Sequence, residues 1–272
     1  MYKNHEKIKD EWNAESDEYF KANASEREIN IVINDPSRAF PDEVFKMIIK
    51  HFPDLKGKKV LVPSSGDNMA VFAFCLLGAN VTSLDIAERQ LFNAKQISDR
   101  YGWKNIEYIV DDSMYLSKIK DDMYDLVYTS NSVHTWIFDI TCMYKNFHRV
   151  LRQNGKYIMF ETHPMVRAVD EKDNKIVPVR RYEKFEPRYW NENDAPCYYW
   201  RTQDKLNALI ESKFTLTRIE EFHASTKALD NFKFWYGSLT EAEADDYRKY
   251  DWKINEYEVL PEWLGLCAEK QI

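Results

Sequence analysis

Cysteine is scarce in this chain, with four among 272 residues. The four stand far apart, at Cys75, Cys142, Cys197 and Cys267, without the close spacing of metal ligands. Cys75 and Cys267 fall within apolar runs and are predicted to be buried thiols. Because this usage suits a reducing compartment, we expect a cytoplasmic protein without a metal site.

Long apolar runs are also missing. No stretch is long enough to span a membrane, and no signal peptide, internal repeat or low-complexity linker is recognisable. Positive charge is in deficit, since 38 Lys and Arg face 45 Asp and Glu to give a net charge of −7. That balance disfavours a broad nucleic-acid surface. We therefore expect neither a membrane nor a nucleic acid as partner, while the oligomeric state stays open.

What is present is the composition of a globular protein, with 44% hydrophobic and 31% charged residues. We expect a single domain over residues 1–272, with appendages. Aromatic residues make up 15% of the chain, a content suited to the wall of a pocket for a flat or cationic ligand.

The most informative stretch is a predicted strand–loop–helix–strand unit. Val60–Pro63 is predicted to be a buried strand, Ser64–Asn68 a tight loop, and Val71–Leu77 a helix. Asn80–Asp85 is predicted to be a second strand, which ends on a carboxylate. This pattern is typical of a nucleoside site, in which the acid accepts from the two ribose hydroxyls. The alternative is an ordinary turn of any α/β protein.

The sequence of this loop indicates which kind of nucleoside ligand to expect. A dinucleotide site needs a third glycine where this chain has the bulky Met69, which argues against a bound pyrophosphate. The run resembles instead the first motif of class I S-adenosylmethionine-dependent methyltransferases, a strand and an acid followed by Gly-x-Gly-x-Gly. Here Gly66 is retained, while Val62 replaces the acid and Ser64 and Asn68 replace two glycines.

Two later stretches extend the resemblance. Ile106–Val110 is predicted to be a third strand, followed by Asp112, which matches the acid that reads the adenine amino group in the family. The alternative is that Asp112 caps a helical turn. The cofactor implied is S-adenosyl-L-methionine, and the implied binding residues are Ser64, Ser65, Gly66, Asn68, Asp85, Ile86, Asp112, Ser113, Met114, Ser130, Asn131 and Tyr19.

The second half of the predicted sheet also resembles the family. Tyr124–Tyr128 is predicted to be a strand whose exit loop lies beneath the cofactor sulfonium, and Arg149–Arg152 with Gly155 resembles the turn before the family's fifth strand, Tyr157–Phe160 here. The resemblance implies a Rossmann-like α/β fold with a seven-stranded, mostly parallel sheet, an antiparallel last strand and helices on both faces. The elements predicted near the end of the chain are a helix from Thr202 to Ile210 and strands at Phe214–Phe222 and Trp263–Ala268.

Three segments lie outside the minimal fold. Residues 1–35 are amphipathic, and Trp12 to Tyr19 resembles the aromatic lid helix of small-molecule methyltransferases. The alternative is a helix solvated on one face. Residues 165–201 and 223–262 are predicted to be cap insertions that carry aromatic clusters, and the alternative is a small antiparallel sheet that covers the core.

The implied reaction is in-line transfer of a methyl group to a small-molecule acceptor, for which positioning matters most. His134 and His163 are candidate general bases, although a histidine near a strand end is often structural. Arg180, Arg181 and Arg188 allow for a carboxylate or phosphate on the acceptor, or pair with Glu183 and Glu186 at the surface. The alternative functions are a catalytically silent cofactor-binding protein and a dinucleotide-dependent oxidoreductase.

Overall fold

The computed structural model describes residues 2–183, 186–189, 194–223 and 251–271. Its main sheet has the strand order β3-β2-β1-β4-β5-β9-β8. The strands of this sheet are β1 (Lys59–Pro63), β2 (Asn80–Asp85), β3 (Ile106–Val110), β4 (Tyr124–Thr129), β5 (Leu151–Thr162), β8 (Phe214–Phe222) and β9 (Trp263–Lys270). Strands β1 to β5 are parallel, and β9 inserts antiparallel between β5 and β8. The predicted fold class is confirmed.

Helices cover both faces of this sheet, with a separate apolar core cluster on each side. They are α1 (Tyr2–Asn23), α2 (Glu26–Asn34), α3 (Asp42–His51), α4 (Met69–Leu76), α5 (Glu88–Tyr101), α6 (Ile140–Val150) and α7 (Thr202–Glu211). Helix α4 is the most apolar, and five of its residues, from Ala70 to Phe74, are buried. A helix that is buried on most sides belongs to the centre of a layered α/β core.

Strand β5 differs from its prediction. The predicted turn before Tyr157 is part of a strand that starts at Leu151, directly after α6. The extra residues form a bulge, because Tyr124 pairs with Leu151 whereas Leu126 pairs with Lys156. A Cβ on Gly155 would lie 2.8 Å from the Arg152 carbonyl oxygen, so this bulge requires glycine.

Helix α7 follows the first insertion. Its N-terminal capping residue is Arg201, and Asp204 accepts hydrogen bonds from the backbone and the guanidinium of Arg201. The helix itself runs close to its predicted bounds.

The first insertion contains the hairpin β6 (Val169–Lys172) and β7 (Lys175–Pro178), and an isolated bridge joins Arg188 to Cys197. The small antiparallel sheet considered from the sequence is therefore present. Most of the second insertion, with the predicted aromatic cluster at residues 232–236 and the acidic tract at 241–246, lies outside the described residues. In the part of the chain that is described, no helix combines the length and the apolar character needed to cross a bilayer.

Parallel pairing brings the carboxyl ends of five strands to one edge of the sheet. Pro63 pairs with Leu84, Asp85 with Val110, and Thr129 with Met159. In open α/β sheets, ligands bind outside this edge.

Candidate functional site

The loop after β1 is tied to two neighbouring loops. Ser64 adopts a left-handed backbone with φ 50°, and its hydroxyl lies 2.7 Å from the Ser113 hydroxyl after β3. Asn68 caps α4 by accepting from Ala70 N at 2.8 Å, and its amide donates to the Ser130 hydroxyl after β4. These bonds hold the loops after β1, β3 and β4 as one surface.

Gly66 is the one glycine that this loop retains, and its backbone conformation explains why. Its φ is +49°, and a Cβ there would lie 2.7 Å from the Gln90 side-chain oxygen. Gly66 N donates to Asp85 at 2.9 Å. Glycine is favoured here by its positive φ, whereas the end of the flexible Gln90 side chain could move aside for a Cβ.

Asp85 ends β2 and is 8% exposed. Its carboxylate accepts from Gly66 N and Ala87 N, each at 2.9 Å. Burial raises the pKa of Asp85 to about 6, against the effect of backbone hydrogen bonds from Ala87, Gly66 and Ile86. A carboxylate has about four acceptor positions, so these three bonds leave about one for a ligand hydroxyl. Ile86, the next residue, is half-buried.

Asp112 lies in the loop after β3 and takes the capping role considered from the sequence. One oxygen accepts from Met114 N at 2.8 Å, which caps the local turn, and the other lies 3.2 Å from His5 Nε2. Burial raises the pKa of Asp112, and the bond from Met114 and the nearby His5 oppose that rise. The Met114 side chain is fully buried in the core, so only its backbone reaches the site.

Asp67 is a site residue that sequence reasoning missed. It lies in the loop after β1 and is 5% exposed, and among the described residues its Oδ2 has no hydrogen-bond partner. Burial raises the pKa of Asp67 to about 6, and the charge of Asp85 adds to the rise. A buried carboxylate oxygen without a partner is costly, and such groups cluster at functional sites. The available signal was an acid inside a loop of otherwise small residues.

Helix α1 lies across this edge of the sheet. Asp17 forms a two-pronged ion pair with Arg89 of α5, at 2.7 and 2.9 Å. Trp12 packs edge-on against Tyr19 and against Trp136 after β4, with ring centroids 5.8 and 5.4 Å apart. Together with the contact between His5 and Asp112, these bonds place α1 over the three loops that carry the predicted cofactor residues.

His134 is held in a buried network at the ends of β4 and β5. Its Nδ1 lies 2.9 Å from Glu161 and its Nε2 lies 2.7 Å from the Tyr144 hydroxyl. Burial lowers the pKa of His134, so the ring is neutral, and Nδ1 donates to Glu161 while Tyr144 donates to Nε2. Both ring nitrogens are therefore engaged within the protein.

Glu161 is the anion of this network and is 3% exposed. Burial alone would raise its pKa, but the hydrogen bond from His134 and the charge of Lys205 lower the pKa of Glu161 to about 2. Ser132 N also donates to Glu161. The carboxylate therefore stays ionised at neutral pH although it is buried.

His163 and Asn131 have local bonding roles. His163 Nε2 lies 2.9 Å from Glu221, and His163 Nδ1 accepts from Met165 N at 3.2 Å. Asn131 accepts from the Thr162 hydroxyl at 2.8 Å and so fastens the loop after β4 to the end of β5. A cleft lies beside the His134 network, and His163 is not among the residues that line this cleft.

That cleft adjoins the His134 network and opens to solvent, and it is narrow, with about 20 Å³ of interior volume accessible to water. Its lining combines aromatic, charged and hydroxyl side chains from the segment after β4, the end of β5, the first insertion and α7, namely His134, Thr135, Glu161, Thr162, Pro164, Arg167, Tyr198, Tyr199, Trp200 and Lys205. The Trp200 indole donates to the Ile137 carbonyl at 2.8 Å, which fixes one wall. Arg181, by contrast, lies at the surface 3.6 Å from Glu183.

Comparison with known proteins agrees with this architecture. The family model described as a methyltransferase domain matches residues 63–159. The uncharacterized methyltransferase YbaJ of Bacillus subtilis (strain 168) is 31% identical over 188 residues, which are 62% of this chain and 71% of that protein.

Two solved structures share the fold. An S-adenosylmethionine-dependent methyltransferase from Mesorhizobium loti superposes with a TM-score of 0.63 at 21% identity, covering 83% of this chain and 96% of that chain. Geranyl diphosphate C-methyltransferase from Streptomyces coelicolor A3(2), crystallised with S-adenosyl-L-homocysteine, gives a TM-score of 0.55 at 12% identity, over 83% and 74% of the two chains. The sheet order, the loops at its carboxyl edge and the match to YbaJ agree, and this chain belongs to the S-adenosylmethionine-dependent methyltransferases of class I.

Proposed function

We propose that this protein transfers a methyl group from S-adenosylmethionine to a small-molecule acceptor bound in the cleft beside His134. The observation that carries the proposal is the position of the cleft. It opens at the carboxyl ends of β4 and β5, next to the loops that Asn68 and Ser130 fasten together. An acceptor there would adjoin a cofactor on the first half of the sheet.

The residues at the carboxyl edge fit this cofactor. Asp85 retains an acceptor position for a ribose hydroxyl, and one oxygen of Asp112 lies 3.2 Å from His5 Nε2. Asp67 would pair with a cation of the cofactor, which carries an ammonium and a sulfonium. When bound, the cofactor supplies an electrophilic methyl group with a good leaving group.

The protein's own contribution is positioning and exclusion of water. Correct alignment of two reactants is worth about 7–11 kcal/mol in favourable cases. Glu161 and Tyr144 hold the His134 ring in one orientation in the cleft wall. Since both nitrogens of His134 are engaged, we propose that its ring is a fixed part of the cleft wall, and its role as a direct base needs one of these bonds to break.

A silent cofactor-binding protein is the second candidate, and the departures at Val62, Ser64 and Asn68 from the family's motif favour it. An assay with methyl-labelled S-adenosylmethionine separates the two candidates. Low-mass, protein and nucleic-acid fractions of a bacterial extract are each offered as acceptor, with the Asp85→Ala variant as control. We expect label in the low-mass fraction with the unaltered protein alone. Label confined to protein or nucleic acid would contradict a small acceptor, and no label at all would favour the silent candidate.

Asp67→Asn is expected to stabilise the ligand-free protein while weakening cofactor binding. The raised pKa means that folding becomes less favourable as pH rises from about 4 to 6, because the carboxylate must ionise while buried. The variant should therefore nearly match the unaltered protein near pH 4 and exceed it by about 2 kcal/mol in unfolding free energy at pH 7, since one pKa unit corresponds to about 1.4 kcal/mol. Denaturant unfolding at both pH values measures this difference.

Calorimetry on Asp67→Asn tests whether Asp67 binds the cofactor and which of its cationic groups it contacts. We expect affinity for S-adenosylmethionine to fall about 10-fold, as for a lost charge-assisted hydrogen bond. An equal fall for S-adenosylhomocysteine would identify the ammonium as the partner, and a smaller one the sulfonium. Unchanged affinity for both would remove Asp67 from the cofactor site.

Helix α1 is expected to close over the bound cofactor. Many of its contacts are solvent-exposed polar bonds, such as the ion pair between Asp17 and Arg89, so it should open at low cost. Hydrogen exchange in residues 8–30 should slow when S-adenosylhomocysteine is added. The Asp85→Ala variant at the same ligand concentration is the control, and equal protection with and without ligand would support the solvated-helix alternative.

A further inference from the structure

Lys205 places a buried cation in the wall of the cleft. It lies on the inner face of α7, one turn before the buried Ala208 and Leu209, and is 3% exposed. Its side chain lines the cleft, and among the described residues its ammonium has neither a hydrogen bond nor an ion pair within 4.0 Å. An ammonium has three N–H donors, which need acceptors when they are removed from water.

The nearby Glu161 does not supply these acceptors. Its Oε1 accepts from Ser132 N and from Thr162 N, and its Oε2 accepts from the backbone and ring nitrogens of His134. Four donors use the full acceptor capacity of a carboxylate. Glu161 therefore acts on Lys205 through its charge alone, and the donors of Lys205 are left for an occupant of the cleft.

Other cations crowd the same place. Arg167 lines the cleft, and the guanidinium carbons of Arg167 and Arg180 lie 5.3 and 4.3 Å from the centre of the Tyr199 ring. Burial lowers the pKa of Lys205 to about 8, with Glu161 opposing and Arg167 adding to the effect. Burial and then Arg188 lower the pKa of Arg180 to about 10. An anion in the cleft would relieve this repulsion.

We infer that the methyl acceptor carries a carboxylate, bound by Lys205 and Arg167, with its apolar part against Tyr199 and Trp200. This inference rests on the proposed function, because it takes the cleft as the acceptor site. A carboxylate suits the cleft better than a phosphate because the buried, ionised Glu161 borders the same space and repels a dianion more strongly. The aromatic wall then selects for a flat or apolar acid.

The test uses the full chain saturated with S-adenosylhomocysteine, titrated in a calorimeter with benzoate, inorganic phosphate or benzylamine. We expect benzoate alone to bind, and Lys205→Met to weaken it by at least about 10-fold. Lys50→Met, at an exposed position on α3, is the matched control and should bind benzoate normally. Repeating the titration at pH 8 in buffers of different ionisation enthalpy measures proton uptake on binding. Because Lys205 is about half neutral at this pH, the unaltered protein should take up about half a proton when benzoate binds, and Lys205→Met should take up none.

Affinity for S-adenosylhomocysteine distinguishes a failure of the carboxylate inference from a failure of the proposed function. A protein that fails to bind it fails the proposed function. Normal binding in Lys205→Met shows that the variant is folded with an intact cofactor site. The carboxylate inference is overturned if the unaltered protein does not bind benzoate, if Lys205→Met binds benzoate equally well, or if phosphate or benzylamine binds as tightly as benzoate.

Discussion

Replacing Glu161 by alanine is expected to lower the free energy of unfolding by about 3–5 kcal/mol, the usual cost of removing one partner from a buried charged network. The change leaves the backbone N–H groups of Ser132 and Thr162, the ring N–H of His134 and the ammonium of Lys205 without their anion. Each of these groups is then buried or half-buried around the space that the carboxylate leaves. Denaturant unfolding at pH 7 measures the loss.

The pH dependence of this loss has a defined sign. Because the pKa of Glu161 is lowered from 4.5 to about 2, its contribution is complete above about pH 4.5 and disappears as pH falls toward 2. The difference between the unaltered protein and Glu161→Ala should shrink over that range. Glu211→Ala, at the exposed end of α7, is the control and should change stability by less than about 0.5 kcal/mol. A loss below about 1 kcal/mol for Glu161→Ala would contradict the network described above.

Replacing Asp85 by alanine is expected to lower affinity for S-adenosylmethionine by about 10- to 150-fold. The substitution removes the only carboxylate at the end of β2 and leaves the ribose hydroxyls without a charged acceptor. A hydrogen bond to a charged group is worth about 1.5–3 kcal/mol, which corresponds to that range. Gly66 N and Ala87 N also lose their acceptor, so the loop after β1 should become less well ordered.

Calorimetric titration of Asp85→Ala measures this effect, after thermal unfolding has shown that the variant is folded. Asp99→Ala is the matched control, because Asp99 lies exposed on α5 and pairs with Lys95. We expect the control to bind S-adenosylmethionine normally. If folded Asp85→Ala did the same, the cofactor would have to lie elsewhere.

The half of the site nearest β1 was predictable from the sequence because its signals are local. Asp85 and Asp112 each follow a strand of recognisable pattern, and parallel strands bring such residues to one edge. The register between Asp85 and Val110 is enough to place both acids together.

The other half of the candidate site was predictable only in part, because its residues come from β4, β5 and α7. His134 was named from its place after a strand, but its partners Glu161 and Tyr144 were not. Nothing near Glu161 in the sequence indicates that Lys205 will face it. The spacing of Lys205 from Ala208 and Leu209 was the one available signal, since it places the lysine on the apolar face of a helix. The ion pair that docks α1, between Asp17 and Arg89, likewise joins segments far apart in the chain.

The length of β5 was missed for a different reason. Asn154 adopts a left-handed backbone with φ 62°, and Gly155 is tightly packed, features that also mark a turn. Neighbouring strands decide whether such a stretch becomes a turn or a bulge, and pairing with β4 extends it as a strand.

A calorimetric titration of the unaltered protein with S-adenosylmethionine, S-adenosylhomocysteine and NAD tests the central claim most directly. The carboxyl edge described here predicts that the first two ligands each bind at one site per chain and that NAD does not, because Met69 stands where a dinucleotide loop needs glycine. Binding of NAD in preference to both adenosyl ligands, or binding of none of the three, would contradict the account.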